Sequence, residues 1–344
     1  MSELTMTEAT GLPIIFVCLM GLAVLVYAIL DGFDLGVGML LPRDQHPTLP
    51  EPEKQRDIMI ASIGPFWDAN ETWLVLAVGI LLIAFPSAYN LILHELYLPS
   101  LAMLSGLILR GVAFDFRTKS AANHKLFWDR TFKLGSFIAA SSQGYMLGQF
   151  VMGFDGSIAA EIFACTSAIC VTAAYMFNGA AWLVLKTEGE LQIYIARIGR
   201  RCGILTAIGI LFVCFINLYL DNQILNKWLG FPQVMLLLPI PLVCGGLFFI
   251  CDWFLRAVSR QNRDYAWVPF ACVAGIFFLC FDGLAYSYFP HIIPRQLTIW
   301  ESASAPESLE FILAGIVVVI PAIISYTFFA YRVFWGKASE LRYH

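Results

Sequence analysis

Residues 13–41 read PIIFVCLMGLAVLVYAILDGFDLGVGMLL, an apolar stretch that contains two acids, Asp31 and Asp34. A helix of about 20 apolar residues crosses the hydrocarbon core of a bilayer, so this stretch predicts a transmembrane helix. A charged side chain near the bilayer centre costs about 2.5–3.5 kcal/mol even on a lenient insertion scale. The two acids therefore need either a charged partner on a neighbouring helix or a function that requires charge inside the membrane.

The whole chain has the composition of a polytopic membrane protein. Of its 344 residues, 59% are hydrophobic and only 13% are charged, whereas soluble domains are about 25% charged. Nine stretches are long enough to cross a bilayer as helices: residues 13–41, 59–85, 89–113, 131–154, 158–185, 199–220, 231–255, 265–289 and 309–336. We therefore expect an all-α fold of nine transmembrane helices, arranged as two four-helix bundles plus one extra helix. Residues 1–344 are expected to form a single integral-membrane domain.

The basic residues predict the orientation of this domain. If the N-terminus lies outside, the inner segments contain all but two of the 21 Lys and Arg residues, and only Lys227 and Arg295 lie outside. Cytoplasmic segments are enriched in Lys and Arg, so we expect the N-terminus outside and the C-terminus inside. An eight- or ten-helix count would destroy this asymmetry. Because the basic residues are spread over five inner segments, the expected partner is the lipid membrane and not nucleic acid.

The first candidate site is the pair of acids in residues 13–41. Asp31 and Asp34 are three residues apart and therefore share a helix face. Gly32 and Gly36 form a small-x-x-x-small pattern, which permits close approach of a neighbouring helix. Arg110, placed at the inner end of the third predicted span, could meet the acids and form an ion pair. A structural ion pair and a functional role are both open at this point.

The second candidate site is the stretch Trp67-Asp-Ala-Asn-Glu-Thr-Trp73 in the second predicted span. In a continuous helix that begins near residue 59, Asp68 lies about 14 Å along the axis, close to the membrane midplane. Glu71 and Trp67 share its face, and Asn70 and Trp73 form an adjoining polar and aromatic edge. This span contains no cation. The acids are therefore candidates either for a proton relay or water-filled cavity, or for structural hydrogen bonding.

The remaining polar residues in the spans have simpler explanations. For Gln143, Gln149, Asn178, Asn217, Asp252 and Asp282, hydrogen bonding between helices is the favoured interpretation. The outer connection 290–308 contains aromatic residues typical of the membrane interface and indicates a structured amphipathic segment.

The histidines and cysteines do not form a recognisable metal or haem site. The five histidines are His46, His94, His124, His291 and His344. Four of these lie in loops or at the C-terminus, and His94 has no histidine partner at a matching depth. The nine cysteines form no C-x-x-C pair and are typical of small buried hydrophobic residues. We therefore expect that this chain ligates neither haem nor a metal ion.

Three motifs give the chain a specific family resemblance. They are Asp31-Gly-Phe-Asp-Leu-Gly-Val-Gly38, Trp67-Asp-Ala-Asn-Glu-Thr-Trp73 and Arg110-Gly-Val-Ala-Phe-Asp-Phe-Arg117. In this order, on nine predicted spans, they resemble subunit II of cytochrome bd-type quinol oxidases. The resemblance extends through residues 289–300 and the last span, so it covers nearly the whole chain. The chain is at the short end of the family, closer to the cyanide-insensitive type.

The resemblance implies a bacterial inner-membrane terminal oxidase that oxidises quinol and reduces oxygen to water. In that family haems b and d belong to subunit I, and subunit II completes proton and oxygen access, so this chain alone is expected to be inactive. Small single-span accessory subunits and a bound structural quinone are compatible with the resemblance.

The resemblance also carries over to individual residues. Asp68 and Trp73 match positions linked to a channel at the subunit interface, whereas Asp34 and Arg110 match positions linked to stable haem assembly. We expect Asp34 and Arg110 to form an inner-side ion pair that matters more for assembly than for turnover. Asp31, Asp115 and Arg117 lie in the same motifs and are candidates for the same structural role.

Two other functions are open from the residues alone. A proton-coupled secondary transporter could use Asp68 and Glu71 near the midplane, and Gly64-Pro65 just before them could interrupt a helix as transporters do. A purely scaffolding subunit would differ from the oxidase subunit only if the acids carry no protons.

Overall fold

The computed structural model of the chain describes residues 3–43, 49, 51–120, 122–259 and 265–338. His46 and His344, as well as the basic residues Arg260, Arg263 and Arg342, lie outside the described residues. The described part is helical except for turns and one short hairpin, so the expected all-α membrane architecture is confirmed.

The helices of the first half are α1 (Glu3–Leu40), α2 (Pro52–Ala61), α3 (Trp67–Ala84), α4 (Pro86–Glu95), α5 (Tyr97–Lys119), α6 (Ala122–Val151) and α7 (Ile158–Lys186). The second half contains α8 (Gly189–Leu220), α9 (Asn222–Leu229), α10 (Gln233–Leu237), α11 (Pro239–Ser259), α12 (Val268–Tyr288), β1 (His291–Ile293), β2 (Leu297–Thr298), α13 (Ile299–Ser302) and α14 (Pro306–Val333).

Eight helical segments in the described part are long and apolar enough to cross a membrane: α1 from Gly11 onward, α3, α5, α7, α8, α10 with α11, α12 and α14. Helix α6 has 30 residues and is long enough at about 1.5 Å per residue, but its serine and glutamine residues make it less apolar. The nine-helix count, with α6 as the ninth span, and the orientation remain predictions.

The predicted boundaries of the second and third spans are wrong. The helix expected over 59–85 is interrupted by a turn at 62–66, and α3 begins only at Trp67. Pro65 explains the break, since proline lacks an N–H and disfavours helical conformation in the residue before it. The helix expected over 89–113 is displaced, because α4 ends at Glu95 and α5 runs over 97–119. Both shifts change the positions of the candidate residues along their helices.

Helix α1 packs against α3, α6 and α7, whereas α7 continues the packing to α8 and α12. Helix α11 packs against both α8 and α12, and α14 contacts α1 and α3. Most of α14 is exposed. The division into two four-helix bundles plus one extra helix stays a prediction.

Basic side chains meet the ends of several helices at one end of the bundle, which we call the basic end. Lys133 donates to the carbonyl of Leu41 after α1 (3.0 Å), and Lys186 donates to the carbonyl of Phe334 after α14 (2.9 Å). At the opposite end Arg295 bonds to Asp221 at 3.2 Å. The connection 290–308 there is structured as expected, since β1 pairs with β2 and Thr298 caps α13.

Helices α1 and α7 cross at two glycines that leave no room for a side chain. A Cβ atom on Gly36 would lie within van der Waals radius of the carbonyl oxygen of Tyr175, and one on Gly179 would be 2.5 Å from the backbone of Gly36. Both neighbours are backbone atoms, which cannot move without separating the helices. The small-x-x-x-small prediction for residues 32 and 36 therefore describes a real helix contact.

We predict that Gly36→Leu strongly lowers the melting temperature of the membrane domain, because overpacking a rigid contact costs about 1–3 kcal/mol or more. The matched control is Gly79→Leu, since a Cβ on Gly79 meets no atom within 4 Å. Size-exclusion chromatography of a fluorescent fusion after heating checks the result. Equal melting temperatures for the two variants would contradict the tight crossing.

Candidate functional site

The centre of the candidate site is Arg110, which is almost completely buried, with 1% of its surface exposed. Its Nη1 lies 2.7 Å from Oδ1 of Asp31 on α1, and its Nη2 bonds to Oε1 of Glu71 on α3. Asp31 lies nine residues before the end of α1, and Arg110 lies nine residues before the end of α5. The site is therefore about 14 Å from the basic ends of these helices, and it joins α1, α3 and α5.

The expected ion pair between Asp34 and Arg110 is wrong. The aspartate that pairs with Arg110 is Asp31. Arg110 also does not lie at the end of its helix, because α5 continues to Lys119. Three residues along a helix separate two side chains by about 4.5 Å along the axis. That offset places Asp34 beyond the guanidinium and opposite α3.

Asp34 instead belongs to a chain of hydrogen bonds with uncharged side chains. The Nδ2 of Asn70 donates to Oδ2 of Asp34 at 2.7 Å, and the hydroxyl of Tyr331 on α14 donates to Oδ1 of Asn70 at 3.0 Å. Asp34 and Asn70 are both completely buried. Asn70 therefore connects α1, α3 and α14 directly beside the arginine, a structural role that its sequence position did not reveal.

Three carboxyl groups share one cation in this site. Asp31 and Glu71 contact Arg110 directly, whereas the direct partner of Asp34 is an amide. If all three acids were ionised, the site would have a net charge of −2, which is unfavourable in a low-dielectric interior. The arrangement therefore has the capacity to hold protons as well as to pair charges.

Asp68 does not lie nine residues into a continuous helix, so the expected helix position is wrong, whereas its depth in the membrane stays a prediction. Because of the break at 62–66, Asp68 is the second residue of α3, and its side chain is exposed. Glu71, one turn further, keeps 27% of its side chain exposed, and Arg110 beyond it is buried. The acids thus form a series of increasing burial from the surface of the chain to Arg110.

The two tryptophans of the same motif occupy different environments. Trp67 is half-buried and packs on Phe114 of α5, with ring centroids 5.3 Å apart. Trp73 is buried in a small apolar cluster with Ala23, Tyr27 and Ala77. Trp73 is therefore enclosed between α1 and α3 and does not face lipid.

A second hydrogen-bonded chain leads from the site to α6 and α7. Tyr27 lies four residues before Asp31 and therefore on the same face of α1. Its hydroxyl accepts a bond of 2.8 Å from Gln143, and Gln143 accepts one of 2.7 Å from the hydroxyl of Tyr175. The expectation of helix–helix bonding by Gln143 is thus confirmed. The two tyrosines were missed, although the i, i+4 spacing of Tyr27 and Asp31 could have indicated the first.

Arg117 and Asp115 do not belong to the Arg110 site. Arg117 bonds to Asp129 and lies 2.6 Å from Asp57, and Arg56 lies 2.7 Å from the other oxygen of Asp129. This network fastens α2 and α6 to the end of α5. Asp115 is exposed. Sequence reasoning missed Arg56, Asp57 and Asp129, because they lie outside the apolar spans.

The histidines in the described part do not fit a haem. Axial haem ligation needs side chains that point into an apolar cavity, but His94 and His124 are exposed and His291 lies in the hairpin opposite the basic end. The described residues also contain no cluster of three His, Cys, Asp or Glu that could hold a metal ion.

Comparisons with known proteins match this arrangement to one family. The model of the family described as cytochrome bd terminal oxidase subunit II matches residues 12–334. Cytochrome bd-I ubiquinol oxidase subunit 2 of Escherichia coli (strain K12) is 25% identical over an alignment of length 380, which covers 97% of this chain and 97% of the relative. Cytochrome bd ubiquinol oxidase subunit 2 of Bacillus subtilis (strain 168) is 27% identical over an alignment of length 330, which covers 90% of this chain and 92% of the relative. A chain in the structure of bd oxidase from Geobacillus thermodenitrificans shares the fold, with a TM-score of 0.72 and 17% identity over 95% of this chain and 100% of that chain.

We predict that Arg110→Leu destabilises the domain by about 3–5 kcal/mol, because it leaves buried carboxylates without their cation. Adding Asp31→Asn should restore part of the stability, whereas adding Asp34→Asn should restore less, since only Asp31 contacts the guanidinium. Thermal unfolding of the three purified variants checks this order. Equal rescue by the two asparagines would contradict the observed pairing.

Proposed function

This chain belongs to the family of cytochrome bd terminal oxidase subunit II, and on that basis we propose how its ionic site serves the enzyme. The chain is a subunit of a quinol oxidase, an oxidoreductase, and its membrane complex includes a partner, subunit I. A proton-coupled transporter is not favoured, since the family match covers residues 12–334. The break in the second span, a feature that transporters also use, therefore belongs to an oxidase subunit.

We propose that Asp68 and Glu71 carry protons toward the oxygen-reducing site of subunit I. Reduction of oxygen to water consumes one proton per electron, so the enzyme needs titratable groups that lead to that site. The observation that carries this proposal is the series of increasing burial from Asp68 through Glu71 to Arg110. Protons pass between Glu71, which Arg110 holds in place, and Asp68, which lies at the surface of the chain and passes them on toward subunit I.

The exposed position of Asp68 also supports a location for the partner. Helix α3 begins at the level of the Arg110 site, and a charge that faces lipid at such a depth costs about 2.5–3.5 kcal/mol. The surface around Asp68 and Trp67 is therefore covered by subunit I or by water at the contact with it. Oxygen access past the buried Trp73, as the family resemblance implies, would follow the contact between α1 and α3.

Arg110, Asp31 and Asp34 have a supporting role in this proposal. Arg110 fixes the carboxylate of Glu71 and cannot release its own proton, since an arginine stays protonated in proteins. Asp31 provides the counter-charge, and Asp34 holds Asn70 in place. Loss of these contacts should weaken the packing of α1, α3 and α5 and therefore the assembly of the complex.

We propose that the haems b and d of the complex are bound by subunit I, because the described histidines of this chain do not fit a haem. These cofactors supply the electron transfer, and this chain supplies protons and packing. By the family resemblance the complex lies in the bacterial inner membrane, and the distribution of basic residues supports an N-terminus outside and a C-terminus inside. A bound quinone and small accessory subunits are compatible with this assignment.

The first test of the function replaces Asp68. Asp68→Asn keeps the size and most hydrogen bonds of the side chain but removes the titratable proton. The assembled, haem-loaded complex should lose quinol oxidase activity about tenfold or more, because a positioned proton-transfer group contributes about 10²–10⁴ in rate. Asp68→Glu should retain more activity than Asp68→Asn. Oxygen uptake with quinol, normalised to haem content, measures the effect.

The matched control for this test is Asp155→Asn, which changes an exposed acid in the 152–157 turn, at the far end of α6 from the basic end. It should leave oxygen uptake unchanged. If the Asp68→Asn complex assembles and turns over at the wild-type rate, Asp68 is a structural group and the proton route lies in subunit I.

The haem assignment is tested by replacing each histidine of this chain with alanine in the complete complex. We expect the same haem b and haem d absorbance in every variant, including those at His46 and His344. The reduced-minus-oxidised spectrum measures both haems. Loss of one haem band in any single variant would show that this chain supplies an axial ligand.

A further inference from the structure

A groove between α8 and α11, away from the Arg110 site, combines an apolar floor with a charged end. Its volume is about 200 Å³. The floor consists of Phe177 and Phe248, whose rings stack with centroids 6.0 Å apart. Ile204 and Phe249 form the rim and are largely exposed. Gly203 makes the floor possible, since a Cβ atom there would lie 2.9 Å from the ring of Phe177.

One carboxylate organises the charged end of the groove. Oδ1 of Asp252 accepts a bond of 2.8 Å from Nε of Arg200, and Oδ2 accepts one of 2.7 Å from Nε of Arg256. A guanidinium has five N–H donors, so both arginines keep donors that can bind a second anion. Arg197 and Arg201 are exposed on the same part of α8. Four arginines thus lie at this end of α8 and α11, and Asp252 pairs with two of them.

The order of residues along the helices places the charges at the membrane interface and the apolar floor inside. Helix α8 has 32 residues, or about 48 Å, and exceeds a hydrocarbon core of about 30 Å. Arg200 lies in its N-terminal part, whereas Ile204 and Ala207 follow one and two turns deeper. On α11, Arg256 lies in the last turn and Phe248 lies two turns before it. Exposed Trp253 beside Asp252 is typical of the interfacial belt.

We propose that this groove binds an anionic phospholipid of the leaflet at the basic end. The phosphate lies on Arg200 and Arg256, which Asp252 holds in place, and one acyl chain lies on the rings of Phe177 and Phe248. Arginine pairs bind phosphate oxygens in a bidentate geometry, and the excess of cations selects an anionic headgroup over a zwitterionic one. This site is independent of the proton path proposed above.

The test uses the complete oxidase complex, delipidated in detergent and titrated with phosphatidylglycerol or phosphatidylcholine in native mass spectrometry. We expect phosphatidylglycerol to bind about tenfold more tightly, since each basic residue near the surface adds about 1 kcal/mol to the attraction of an anionic lipid. The triple variant Arg200→Gln, Asp252→Asn, Arg256→Gln removes the two arginines proposed to hold the phosphate without leaving an unpaired acid. It should abolish this preference, whereas the control Arg130→Gln, on exposed α6 surface, should preserve it.

A second variant separates lipid from free phosphate and does not depend on the charges. Ala207→Phe fills the groove, so it should weaken phosphatidylglycerol binding at least as strongly as the triple variant. Inorganic phosphate at the same concentration should not compete with the lipid. Equal binding of the two lipids to the wild-type complex, unchanged binding in both variants, or full competition by phosphate would each overturn the proposal.

Discussion

The burial of one permanent charge constrains the rest of this structure. An arginine cannot lose its proton inside a protein, so Arg110 on α5 requires anions at the same depth, and α1 and α3 supply them through Asp31 and Glu71. A buried ion pair contributes little net stability compared with apolar side chains of similar size. Its effect is to fix the relative depth of three helices, because sliding any one of them would separate the charges.

Close helix contacts enclose this ionic centre. Between membrane helices there is little hydrophobic driving force, so packing and polar contacts hold them together. Gly135 of α6 illustrates the coupling, since a Cβ atom there would lie 2.8 Å from the backbone nitrogen of Arg110 and 2.6 Å from the carbonyl of Gly106. Helix α6 therefore covers the backbone of the same residue whose side chain joins α1 and α3.

The sequence predicted the helical membrane architecture, the family and most residues of the site, because hydrophobic length and buried charge are visible in a single chain. It did not predict the pairing of Arg110 with Asp31. Two acids three residues apart share a helix face, and only the three-dimensional offset between helices decides which one meets the cation. The sequence also did not predict the contact between Asn70 and Tyr331, because these two residues are 261 positions apart in the chain. The network of Arg56, Asp57 and Asp129 lies outside the apolar spans, so no sequence pattern predicted it.

The position of Asp68 depends on a helix break in the second predicted span, and the polar backbone groups of this break must find hydrogen-bond partners. Non-helical backbone at membrane depth is tolerated only where protein or water satisfies its polar groups. Here Nε1 of Trp182 donates to the carbonyl of Ser62 at 3.3 Å, and the turn forms its own backbone bonds, including one from Gly64 to Ile60. Because α7 covers the break, α3 can begin at Trp67, and Asp68 lies in its first turn, where the helix dipole favours a negative charge. Without the break, Asp68 would lie in the third turn of a continuous helix that begins near residue 59. Pro65 thus determines that the acidic motif starts at the surface of the chain and ends at Arg110.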